Sequence, residues 1–76
     1  MPFVRPSFVD GQLELRVDAE GVAIYGTRDG LIELAAICTA LASQSLSTDG
    51  TAHVHLEDRL LLTSGSLKAA IALFAD

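Results

Sequence analysis

The chain has 76 residues, half of them apolar, and ten acidic against five basic side chains give it a net charge of −5. That is room for one domain, spanning residues 1–76, in a chain too apolar for disorder and without the basic stripe that nucleic-acid binding needs. No apolar run approaches the roughly 20 residues that cross a bilayer, and the N-terminus lacks a signal-type hydrophobic segment, so the chain reads as cytoplasmic with no membrane partner.

Residues 1–10, MPFVRPSFVD, carry Pro2 and Pro6, neither of which can donate to a strand ladder. An edge strand or an N-terminal arm fits this stretch, and its Phe3, Val4, Phe8 and Val9 need something to pack on. Gln12 to Asp18 then alternates strictly, with Leu13, Leu15 and Val17 on one face and Glu14, Arg16 and Asp18 on the other. This is the period of a half-buried strand. Ala19-Glu20-Gly21 is a turn whose glycine is the residue suited to positive φ, and Val22 to Tyr25 returns as a second strand with Val22 and Ile24 expected inside.

Thr27 to Ser45 is the helix around which the rest is organised. Leu31, Leu34, Ala35, Cys38, Leu41 and Ala42 recur at helical spacing, Thr27 suits the N-cap, and Asp29 and Glu33 place negative charge near the positive end of the dipole. Cys38, the sole cysteine, falls on this apolar face and reads as a buried, inert hydrophobe. The turn Gly26-Thr27-Arg28-Asp29-Gly30 joins strand to helix where an anion can bind, but it lacks the lysine of a phosphate loop, and most such turns only redirect the chain.

After a serine-rich loop, Thr51 to Leu56 alternates again, with Ala52, Val54 and Leu56 on one face and His53 and His55 on the other. Glu57-Asp58-Arg59 is a polar break, Leu60 to Thr63 a short apolar run, and Ser64-Gly65-Ser66 a turn. Residues 67–74 satisfy both helical and strand spacing; the short length and the need to complete a sheet favour strand. The expected architecture is α+β: a small, mostly antiparallel sheet in the order β-β-α-β-β, with room for a fifth strand, and one long amphipathic helix across one face.

His53 and His55 are the one constellation that suggests chemistry, since two imidazoles at i, i+2 on a strand point the same way and can share a metal. Zinc sites take three or four ligands, and the chain offers no third histidine, so polar histidines on a solvated face are the simpler account. No serine or cysteine can be tied to a base across the fold, which leaves enzyme as the disfavoured class, and no cofactor is indicated.

The Tyr-Gly-Thr-x-x-Gly-Leu turn into the helix (Tyr25, Gly26, Thr27, Gly30, Leu31), the His-x-His-Leu strand (His53, His55, Leu56) and the Leu-Thr-x-Gly-Ser turn (Leu62, Thr63, Gly65, Ser66) follow a strand that ends in acid. In this order they resemble the immunity proteins of bacterial polymorphic toxin systems, over about residues 13–74. The resemblance implies a non-catalytic protein that binds and blocks a cognate toxin, and the acidic balance suits a basic partner. The other functional reading is a metal- or small-ligand-binding domain built on His53 and His55. A homodimer is also expected. With Leu31, Leu34 and Leu41 taken up by the sheet, Ile32, Ile37, Phe3, Val4 and Phe8 have no obvious shelter. Ile37, about 60° beyond the apolar stripe, is within reach of the core edge, and Ile32 lies further round. Pairing by the helix flank or exchanging arms would provide the shelter. An arm folded back over its own helix would instead leave a monomer.

Overall fold

Residues 7–45 and 51–74 are described by a computed structural model. Their elements are β1 (Leu13–Asp18), β2 (Gly21–Gly26), α1 (Arg28–Ala42), β3 (Thr51–His55), α2 (Leu56–Arg59) and β4 (Ala70–Phe74). The class is α+β as expected. The strands, however, form two small antiparallel sheets, β1-β2 and β3-β4, and a second, single-turn helix takes in Leu56, expected at the end of the strand, together with the polar break at 57–59.

The first hairpin closes through Ala19 and Glu20, with Asp18 paired to Gly21, Val17 to Val22 and Leu15 to Ile24. Gly21 takes φ +128°, a region that a side chain disfavours, as the turn composition foretold. The second hairpin pairs His53 with Ala72 and Val54 with Ile71, so residues 70–74 are strand. Between the hairpins, residues 61–67 run alongside β1. Leu62 bridges Leu13 in the parallel sense; Thr63 N–H donates to Leu13 C=O at 3.0 Å, and Leu67 N–H to Leu15 C=O at 2.9 Å. This strap joins the two sheets in place of a continuous ladder.

Leu13, Leu15, Ile37, Leu56 and Leu60 form the core, flanked by Leu34, Val54, Leu62, Ala69 and Ile71. Helix α1 begins as read: Thr27 Oγ1 accepts from Gly30 N–H at 3.1 Å. Its inward stripe differs from the expected one. Gly30, Ile37 and Leu41 are buried and Leu34 is half-buried, while Leu31, Ala35, Cys38 and Ala42 are exposed. Gly30 is the cause. A Cβ there would collide with the Gln12 carbonyl, so the helix approaches the chain entering β1 at this residue and turns the Ile37 face inward. Cys38, about 100° on from Ile37, is carried out into solvent.

The hairpin also departs from expectation at its tip. Val17, Val22 and Ile24 share the face of Leu13 and Leu15 but stand 66%, 69% and 51% exposed, because the helix covers only the end nearer Leu13. On the opposite face, polar by its alternation, Glu14 is 3% exposed beneath the strap. Of the arm residues, Phe8 is half-buried and Val9 exposed, while Phe3 and Val4 lie outside the described residues, as does most of the serine-rich loop.

Candidate functional site

Two of the three sequence motifs are used up in architecture. Thr27 caps α1, its backbone N–H donates to Gln12 C=O at 2.9 Å, and Gly30 admits the Gln12 backbone. These contacts tie the turn at residues 26–30 to the chain entering β1. The Leu-Thr-x-Gly-Ser turn is likewise tied down. Thr63 Oγ1 donates to the Glu14 carboxylate, Arg16 Nε donates to the same carboxylate, and Ser66 Oγ accepts from Leu15 N–H at 2.9 Å. Asp10 accepts from Ser64 N–H at 3.1 Å, and the hydrogen bonds with Ser64 hold its carboxyl below the ordinary value.

The two histidines of the third motif face solvent, while its Leu56 is in the core. His53 and His55 project from β3 with ring centroids 5.1 Å apart, edge to face, and His55 Nδ1 lies 3.6 Å from the Glu57 carboxylate. Glu57 continues the row from α2, where its own backbone N–H and that of Ala69 hold its carboxyl below the usual range, against the opposing effect of desolvation. Among the described residues no group of three or more His, Cys, Asp or Glu side chains is placed to hold a metal ion. The geometry thus gives His55 a carboxylate neighbour and adds no third ligand to the pair.

A different surface has the build of a docking site, and no motif signalled it. Where the first turns of α1 face residues 59–61, an open cleft of about 420 Å³ forms between Gln12, Asp29, Ile32, Glu33, Arg59, Leu60 and Leu61. Leu60 belongs to the core and forms the floor, whereas Ile32 and Leu61 are 59% and 60% exposed at the walls. The Asp29 and Glu33 carboxylates flank them, and among the described residues neither pairs with Arg59 or any other cation. Spacing i, i+4 on one helix places the two carboxylates on a common flank; the segment opposite them is out of reach of periodicity.

No described helix is long and apolar enough to cross a membrane. The cleft frames apolar side chains with two carboxylates that have no cation partner among the described residues. The family model for Immunity protein 32 matches residues 21–72, more than half of the chain, from β2 through most of β4. The chain belongs to that family. No curated protein and no solved structure matches it.

Proposed function

We propose that the protein binds a cognate toxin and blocks it without catalysis of its own, and that the toxin docks at the cleft between α1 and residues 59–61. Membership of the Immunity protein 32 family carries the first half of this reading. The cleft supports the second. Exposed Ile32 and Leu61 are the kind of central apolar contacts from which binding energy comes, and the Asp29 and Glu33 carboxylates complement a basic surface. Every lining residue except Gln12 lies within the family match. The net charge of −5 favours the same partner sign at long range.

Co-expression with a toxin encoded beside the protein's own gene tests both halves. The native chain is expected to restore growth and to co-purify with the toxin, and Ile32→Asp combined with Glu33→Lys to abolish both while keeping the native circular dichroism. A native chain that neither protects nor co-purifies overturns the immunity reading. A double variant that protects fully moves the docking surface elsewhere.

A further inference from the structure

From its hydrogen-bonding phase, its charge and the apolar surface beside it, we infer that the free edge of β2 pairs with β2 of a second copy, antiparallel about Ala23, to make a two-fold dimer. Among the described residues β2 is hydrogen-bonded to β1 alone, β1 carries the strap of residues 61–67 on its other side, and in the second sheet β3 presents two imidazoles. Edge strands are normally blunted by charge, proline or a bulge. Gly21–Gly26, GVAIYG, has no charged residue and no proline, and its pairing with β1 runs unbroken over all six residues.

The ladder phase shows which groups the edge offers. A two-residue turn makes Asp18 and Gly21 a hydrogen-bonded pair, and such pairs alternate along an antiparallel ladder. Thr27 N–H donating to Gln12 C=O fits the same alternation two pairs beyond Ala23 and one beyond Tyr25. Ala23 and Tyr25 are thereby turned towards β1, while the N–H and C=O groups of Val22 and Ile24 point to the open side.

Centring the two-fold on Ala23 sets Val22 opposite Ile24 of the second copy, where each pair exchanges both of its free bonds. Opposed residues share a face, so Val17, Val22 and Ile24 of both copies merge into one apolar surface side by side. Gly21 falls opposite Tyr25, and no like charges meet in this register. The same register brings Glu20 beside Gly26 of the second copy, next to the positive end of α1 and Arg28. An interface of one strand pair is small and belongs to the weak class, below about 1,200 Å².

Sedimentation equilibrium from roughly 10 to 500 μM suits that class of affinity. The native chain is expected to pass from the mass of one chain towards two as concentration rises. Val22→Lys, at an exposed position, is expected to hold it at one chain with unchanged circular dichroism. Ile24→Pro serves as a second variant, since it removes an edge-facing N–H that β1 does not use. A native chain that stays monomeric throughout, or variants of both kinds that dimerise like it, overturns the inference. So does a chain that dimerises only after residues 1–6 are removed, because the arm would then be the natural occupant of the edge.

Discussion

Glu14 is a carboxylate held inside the fold by two side-chain donors, Thr63 and Arg16, so each donor matters more than a surface contact would. Thr63→Val is expected to destabilise the protein by about 1–3 kcal/mol in urea unfolding, the usual cost when a buried polar group loses a partner. Gly30 makes a prediction of opposite sign to the ordinary rule. Glycine to alanine inside a helix normally stabilises by up to about 1 kcal/mol. At Gly30 the new methyl meets the Gln12 carbonyl, so Gly30→Ala is expected to cost about 1–3 kcal/mol through overpacking. A raised urea midpoint for Gly30→Ala would disprove that packing. Cys38, carried outward by the same approach, is expected to react with a thiol reagent in the native state at the rate of an exposed thiol.

Among the elements, α2 is tied to the entry of β4 by the Glu57 carboxylate, which accepts the Ala69 N–H at 3.3 Å. Its carboxyl is held below the ordinary 4.5, so the tie is complete above that value and is lost as pH falls through the lower, folded value. The Ala69 amide shift is expected to titrate with a midpoint below 4.5, and Glu57→Gln to remove the titration; a midpoint at or above 4.5 would contradict it. Local period carried the recognition of the first hairpin, of β3 and of α1, because alternation, the glycine turn and the Thr27 cap are all encoded within a few residues. Residues 67–74, in contrast, satisfied both periods, and only length and the need to complete a sheet pointed to strand. Which face α1 buries was a different matter. Two adjacent stripes share Leu34 and Leu41, and the choice between them rests on the Gln12 backbone meeting Gly30. Alternation placed Glu14 opposite Leu13 and Leu15 correctly, but the turn that covers it comes from about fifty residues later. For the same reason the cleft was not legible: Asp29 and Glu33 were read only as charges at the helix N-terminus, and Leu61 lies nearly thirty residues further on.

At the scale of the whole molecule, the proposed toxin contact divides into charge and apolar parts that separate kinetically. Asp29→Lys and Glu33→Lys are expected to lower the association rate and its salt dependence, while Ile32→Ala raises the dissociation rate. Surface plasmon resonance at two ionic strengths distinguishes the two effects. The strap of residues 61–67 has a consequence for how the protein reaches its native state. Each hairpin and the helix close over short stretches of chain, whereas Thr63 to Glu14 and Ser66 to Leu15 span 49 and 51 residues. Loop closure on that scale costs entropy before its contacts repay it, so the strap is expected to lock last, after the hairpins and α1 have docked. Stopped-flow measurements on Thr63→Val should then show near-native refolding and faster unfolding, because a contact absent from the folding transition state weighs only on the rate of escape from the native basin.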